Sequence, residues 1–338
     1  MRTTSVLRTT MSLFMAAALV VALTGAMVTG CGPVPDDSDR VVVAVTILPQ
    51  AGFVEAVGGD RVDVVVMVPP GASPHTYEAT PDQMVQLSRA SMYAMVGSPV
   101  DFELAWMDRL IAANRDMLVV DCSTGVDLLH YDDEHEHHND RDDDHDHDHD
   151  HDGHDDDHEH INDHDHDHDE DGHHHHHTGP DPHIWLSVQN AKVMVSHICD
   201  GLVQVDPSNA DYYRANCLAY VEELDALDHE LRAQLESLEH RRFVVFHPAF
   251  GYFARDYDLV QIAVEQGGNE PDAQYLVRLL HEAKEHNIRI IFASPQFSVR
   301  SAEVIASEIG GEVVLVDPLA KDYLSNMRQI AAAIGQVS

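Results

Sequence analysis

Short apolar runs alternate with amphipathic stretches from residue 41 onward. In the first half of the chain, these runs are separated by patterns typical of helices around residues 51–57, 81–88 and 101–114. The runs themselves cover residues 41–46, 62–68, 92–96 and 117–121. Continuous apolar strands separated by helices are typical of a parallel sheet covered on both faces. The pattern therefore predicts an α/β lobe.

The second half of the chain repeats this scheme. Its apolar runs cover residues 243–246, 259–262, 288–293 and 313–316. Between the halves, residues 209–238 contain no Pro or Gly and place apolar side chains at three- and four-residue spacing from Leu218 to Leu238. This spacing predicts an amphipathic helix roughly 45 Å long. The predicted fold class is α/β, with two parallel-sheet lobes joined by one long rigid helix and a ligand site in the cleft between them.

The N-terminus carries the features of an export signal. Arg2 and Arg8 precede an apolar stretch that ends in small residues and Cys31. This pattern predicts a lipoprotein signal peptide over residues 1–30, lipid attachment at Cys31 and a polar tether over residues 31–40. The alternatives are a cleaved signal with an incidental Cys and a membrane-spanning anchor, for which the apolar run is short.

The mature chain divides into three further parts. They are an N-terminal lobe over residues 41–208, a linking helix over residues 209–239 and a C-terminal lobe over residues 240–338. Within the first lobe lies a His/Asp tract, residues 130–177, which holds 19 of the 27 histidines. So polar a segment cannot build a core, and its dense imidazoles favour metal capture at many weak sites. The alternative is a solvated loop without a ligand.

Charge narrows the range of partners. The formal net charge of −39, much of it in the His/Asp tract, disfavours nucleic acid and anionic membrane surfaces, which both attract basic proteins. An exported chain with three further cysteines, Cys122, Cys199 and Cys217, keeps at least one unpaired or paired in trans. Cys199 and Cys217 lie on consecutive helical segments, so an antiparallel arrangement could bring them together, the alternative being two buried thiols.

Four metal-competent side chains fall in loops beside predicted strands or next to the His/Asp tract. His75 follows the strand at 62–68, His247 the strand at 243–246, and Asp317 the strand at 313–316, while His183 lies just after the tract. Open α/β sheets bind ligands beyond the carboxyl ends of their strands. Three imidazoles and one carboxylate form a complete tetrahedral set for Zn²⁺. We therefore predict a zinc site made by these four residues.

Other histidines and acidic residues offer weaker candidates. His281 and His286 do not have the spacing of a His-Glu-x-x-His motif, so we expect them on the surface. Glu265 and Glu270 follow the strand at 259–262, and we expect them to shape the cleft without acting as ligands.

Motifs spread over the mature chain resemble a known family. They lie at residues 43–49, 71–78, 181–186, 246–252 and 316–319. They resemble the zinc and manganese solute-binding proteins of ABC importers, in which a long helix links two lobes and metal sits between them. The resemblance implies metal-ligand roles for His75, His183, His247 and Asp317.

The resemblance also bears on the choice of metal. Members that favour manganese generally carry Glu at the position of His247 and lack a His-rich insertion, so both features favour zinc here. Nitrogen-rich coordination suits Zn²⁺ over Mn²⁺ on physical grounds as well. Ser187 departs from the family, which often has Asp at that position.

Several functions are compatible with such a site. The resemblance implies an extracytoplasmic, lipid-anchored receptor that delivers Zn²⁺ to an ABC permease. A manganese-type receptor and a metal-buffering or adhesive surface lipoprotein are the alternatives. A zinc hydrolase needs an open coordination position and a general base, whereas three imidazoles and a carboxylate fill the sphere. No enzyme activity is therefore predicted.

We expect the His/Asp tract and the cleft site to bind zinc independently. Each ion bound by the tract must order chain that is otherwise free, whereas the cleft presents ligands from two preformed lobes. Deleting residues 132–177 should leave one tight zinc site and remove several weak ones. Calorimetric titration of zinc into the deletion variant measures this, and loss of the tight site would show that the tract supplies a primary ligand.

Overall fold

The computed structural model describes residues 40–130, 179–266 and 271–336. Three predictions fall outside the described residues: lipid attachment at Cys31 with its signal and tether, metal capture by the His/Asp tract beyond His130, and the contribution of Glu270 to the cleft. In the part of the chain that the structure describes, no helix combines the length and apolar character needed to cross a membrane.

The first lobe contains a four-stranded parallel sheet. In sheet order its strands are β2 (Val62–Val66), β1 (Val41–Val45), β3 (Met92–Met95) and β4 (Leu118–Asp121). Its helices are α1 (Leu48–Gly58), α2 (Pro81–Leu87) and α3 (Asp101–Ala113). Helix α1 begins earlier than the predicted residue 51, because Pro49 is tolerated in a first turn, where no intrahelical N–H bond is lost.

The second lobe repeats this order. Its strands, again in sheet order and all parallel, are β6 (Val260–Ala263), β5 (Arg242–Val245), β7 (Ile290–Ala293) and β8 (Glu312–Leu315). Its helices are α6 (Gly251–Asp256), α7 (Ala273–Glu285), α8 (Arg300–Ile309) and α9 (Tyr323–Gly335). The predicted α/β class with two parallel-sheet lobes is confirmed.

A helical hairpin lies between the two sheets in the sequence. Helix α4 (Val188–Val205) is followed by a turn at Pro207–Asn209 and by α5 (Ala210–Glu236), the predicted long helix. With 27 residues, α5 is about 40 Å long. Its buried positions include Tyr213, Leu224 and Leu231, whereas Leu218 is 63% exposed. The leucine spacing predicts that Leu218 faces inward. In the structure Cys217 packs against the core instead, and Leu218 lies one residue beyond the buried face of the helix.

One continuous apolar core joins both lobes to this hairpin. It includes Val43 from the first sheet, Ile198 from α4, Leu227 from α5 and Phe292 from the second sheet. A smaller cluster, with Leu279 from α7 among its members, covers the other face of the second sheet. Because helix α5 packs against α1 of the first lobe and α9 of the second, apolar burial along α5 joins the two lobes.

A buried carboxyl fixes the start of α3. Glu103 accepts hydrogen bonds from the backbone N–H groups of Val96 (2.6 Å) and Gly97 (3.0 Å) and from the hydroxyl of Thr46. Burial raises the pKa of Glu103 to about 7, although these hydrogen bonds act to lower it. Glu103 thereby ties the first turn of α3 to the carboxyl end of β3.

We expect Glu103→Gln to flatten the pH dependence of stability. The unfolded chain releases this proton near pH 4.5 and the folded chain only near pH 7, so the folded state binds more protons between these values and stability falls as pH rises. This group alone should lower the free energy of unfolding by about 3 kcal/mol across that window. Urea unfolding at several pH values measures the difference between native and variant protein. A difference that is constant with pH would contradict the prediction; the exposed Glu222→Gln is the control.

Candidate metal centre

His75 lies in a rigid loop between β2 and α2. The carbonyl of Ser73 accepts hydrogen bonds from the N–H groups of Thr76 (3.2 Å) and Tyr77 (3.0 Å), which closes a turn around His75. The Nδ1 atom of His75 lies 2.6 Å from Oδ2 of Asp101, the first residue of α3. A carboxylate only accepts here, so Nδ1 carries a proton, and in the neutral ring Nε2 keeps its lone pair.

His183 is held by the residue two positions before it. Asp181 is fully buried, and its Oδ1 accepts from the backbone N–H of His183 (2.9 Å) and contacts Nδ1 of the same residue (2.7 Å). The Tyr252 hydroxyl donates to the carbonyl of Asp181 (2.9 Å) and accepts from the N–H of Leu129 (3.1 Å). The base of the loop that carries His183 is therefore fixed to α6 of the second lobe.

His247 follows β5, and its Nδ1 lies 2.7 Å from Oε2 of Glu265, which follows β6. Burial raises the pKa of Glu265 to about 7, and a positive charge on His75 would act against that rise. The ring of Phe297 lies 4.7 Å from the ring of His247, centroid to centroid. His247 thus has a carboxylate on one side and an aromatic cover on another.

The three imidazoles converge between the lobes. Their ring centroids are 5.7 Å apart for His75 and His183, 4.9 Å for His75 and His247, and 5.2 Å for His183 and His247. One nitrogen from each ring lies within 4.8 Å of the other two. The Nε2 atoms of His183 and His247 are 3.3 Å apart, which is roughly the spacing that a tetrahedral ion with Zn–N bonds near 2.0–2.1 Å gives two of its ligands.

Asp317 stands outside this cluster of three nitrogens within the described residues. It follows β8, and its Oδ1 accepts from Nε2 of Gln296 (2.7 Å) and from the N–H of Leu319 (2.9 Å). Gln296 itself lines the cavity formed by the imidazoles. The structure therefore brings the three predicted histidines together and links Asp317 to the cavity wall, and the ligand role of Asp317 stays a prediction.

Hydrogen bonds between the lobes surround the centre. The indole N–H of Trp185, whose ring lies 5.3 Å from that of His183, donates to the carbonyl of Pro318 (2.8 Å). Ser187, the departure from the family pattern, caps α4 by accepting from the N–H of Asn190 (3.1 Å) and bonds to Asp256 of α6. A hydroxyl therefore suffices at this position, since it can both cap the helix and reach the second lobe.

From the sequence, no role is predicted for Asp101 or Asp181, and Glu265 is predicted only to shape the cleft. Each of the three instead holds the Nδ1 of one imidazole. A local signal existed for Asp181 alone, which precedes His183 by two residues in an Asp-Pro-His motif. Imidazoles oriented by carboxylates are typical of the histidine ligands of metals. The arrangement can therefore bind one divalent, nitrogen-preferring ion.

The chain is similar to known proteins over most of its length. The family model described as "ZnuA: Zinc-uptake complex component A periplasmic" matches residues 43–337. The high-affinity zinc uptake system protein ZnuA of Bacillus subtilis (strain 168) is 29% identical over 290 residues, covering 85% of this chain and 81% of that protein. A crystal structure of ZnuA is 38% identical, covering 88% of this chain and 99% of that one, with a TM-score of 0.73. A zinc-bound ZnuA deletion mutant is also 38% identical, covering 88% and 98%, with a TM-score of 0.72.

The matched residues run from β1 to the end of α9 and include every loop that lines the centre. The family resemblance predicted from the sequence motifs is therefore confirmed. This chain belongs to the family of ZnuA, the periplasmic zinc-uptake complex component A.

Proposed function

We propose that this protein is an extracytoplasmic receptor that captures Zn²⁺ between its two lobes and delivers it to the permease of an ABC importer. The observation that carries the proposal is the convergence of His75, His183 and His247, with the Nδ1 of each ring held by a carboxylate. Family membership supports the transport role.

The hydrogen bonds of the three rings suit the binding of a cation. The carboxylates of Asp101, Asp181 and Glu265 accept at Nδ1, which leaves Nε2 of each ring as the donor atom for metal. We propose Asp317 as the fourth ligand, since its bond from Gln296 holds the carboxylate against the wall of the same cavity. Three nitrogens and one oxygen favour Zn²⁺ over the oxygen-preferring Mn²⁺.

The remaining parts of the chain fit the same role. Cys31 would anchor the receptor to the membrane by lipid, and residues 31–40 would give the folded part reach. The His/Asp tract would raise the local zinc concentration beside the cleft. A hydrolase is not favoured, since four protein ligands leave no position for an attacking water.

We expect replacement of His75 and His247 by Ala to abolish tight zinc binding, because His183 and Asp317 are then the only proposed ligands left. In a chain lacking residues 132–177, so that the tract contributes no heat, the zinc Kd should rise by at least about 100-fold. Competition titration against a chromophoric chelator measures this. The matched control is His281→Ala on the exposed face of α7, which should bind zinc as the native chain does.

The same variants test the proposed role in transport. Uptake of radioactive zinc into cells that express the receptor with its permease should fall to the level without receptor for the His75/His247 double variant. His281→Ala should leave uptake unchanged. Native uptake by the double variant would contradict the proposal.

We expect Asp181→Asn to weaken zinc binding by about 10- to 100-fold without loss of the fold. The amide keeps an acceptor for the backbone N–H of His183 but removes the negative charge at Nδ1. Nitrogen-15 NMR of the metal-free protein should show His183 losing its fixed Nδ1–H tautomer. Asp211→Asn, fully exposed on α5, is the control. Unchanged affinity together with an unchanged tautomer would show that Asp181 does not position the ring.

A further inference from the structure

The α4–α5 hairpin turns at a corner that one carboxylate fixes. Asp206 accepts hydrogen bonds from the hydroxyl of Ser208 (2.6 Å), the side-chain amide of Asn209 (2.7 Å) and the hydroxyl of Tyr213 (2.7 Å). Tyr213 is itself buried in the first turn of α5. The corner therefore sets which residues of the two antiparallel helices face each other.

Two cysteines face each other across this hairpin. Cys199 of α4 is 5% exposed, and Cys217 of α5 is half-buried against the same core. Cys199 lies nine residues before Ser208 at the corner and Cys217 lies nine residues after it, so the antiparallel helices place the two side chains level with each other. Their thiols are in hydrogen-bond contact. That hydrogen bond lowers the pKa of Cys217 and raises the pKa of Cys199. Cys217 is also the more exposed of the two, so we expect it to react first. The third cysteine, Cys122, follows β4 in the first lobe and is fully buried.

We propose that Cys199 and Cys217 are a disulfide-forming pair that closes in the oxidising compartment of this receptor, joining α4 covalently to α5. Both are free thiols in the structure. Disulfides form and persist outside the cytoplasm, where the family functions.

The reaction needs a disulfide as oxidant, either a small-molecule disulfide or a thiol–disulfide oxidoreductase. The Cys217 thiolate attacks one sulfur of that disulfide and releases the other as a thiolate. Cys199 then loses its proton and attacks the Cys217 sulfur of the mixed disulfide, which releases the second thiol. The protein loses two electrons and two protons in forming the S–S bond, and the oxidant takes up both.

The bond would stabilise the frame of the protein and leave zinc binding unchanged. It encloses 17 residues, and so restrains the unfolded chain more than it alters the folded one. Cys199 lies 11 residues beyond Val188, about 16 Å along α4 from the loop that carries His183. Zinc affinity should therefore be the same in the oxidised and reduced protein.

Peptide mapping of the full chain tests the proposal directly. Protein from the cell envelope is alkylated without reductant, unfolded and cut with trypsin, which separates Cys199 (residues 193–214) from Cys217 (residues 215–232). We expect these two peptides to be linked, and Cys122 to be alkylated. Cys122→Ser, the matched control, should keep the link, and Cys217→Ser should lose it. Full alkylation of both cysteines after equilibration with oxidised glutathione, or Cys217 found only as a mixed disulfide, would overturn the proposal.

Thermal unfolding gives a second, independent readout. Reduction should lower the Tm of the native protein by about 5 °C and leave that of Cys217→Ser unchanged. Zinc Kd should differ by less than twofold between the two redox forms. Equal Tm values for oxidised and reduced native protein would show that the pair does not restrain the hairpin.

Discussion

Three imidazole rings with centroids 4.9–5.7 Å apart lose much of their hydration and repel one another if they become protonated. A carboxylate on the Nδ1 of each ring compensates for that lost hydration. It replaces a water hydrogen bond, fixes the tautomer and leaves the three Nε2 lone pairs directed at a common space. The remaining features of the centre depend on where those three carboxylates are held.

The fold holds each carboxylate in a different way. Asp101 begins α3, whose first turn is tied to β3 through the buried Glu103. The backbone carbonyl of Asp181 accepts a hydrogen bond from the Tyr252 hydroxyl of the other lobe. Glu265 lies two residues after β6, and its backbone N–H donates to the carbonyl of Phe246. Two sheets with the same strand order thus present the carboxyl ends of their strands to one cleft. Helix α5 connects the two sheets.

Most of the frame could be predicted because its signals are local. Apolar runs predicted the strands, and leucine spacing predicted α5, although Leu218 shows that a three- and four-residue pattern can be read one residue out of phase. His75 and His247 are identified by their positions in loops after strands, and His183 by its position just after the His/Asp tract. The partners of His75 and His247 could not be, since Asp101 lies 26 residues from His75 and Glu265 lies 18 from His247. Only folding brings these pairs together, and nothing in the local sequence marks them.

The division of the proposed ligands between the lobes bears on how a zinc receptor can also release its ion. His75 and His183 belong to the first lobe, and His247 and Asp317 to the second, with the Trp185–Pro318 hydrogen bond spanning the two beside the metal cavity. Zn–N bonds tolerate deviations of only about 0.2 Å, so a relative movement of about 1 Å between lobes removes half of the proposed coordination shell at once. The two lobes therefore need not separate widely for zinc to be released. A stiff connecting helix is therefore compatible with delivery, since a partner that separates the lobes by a small distance at this edge weakens the site steeply.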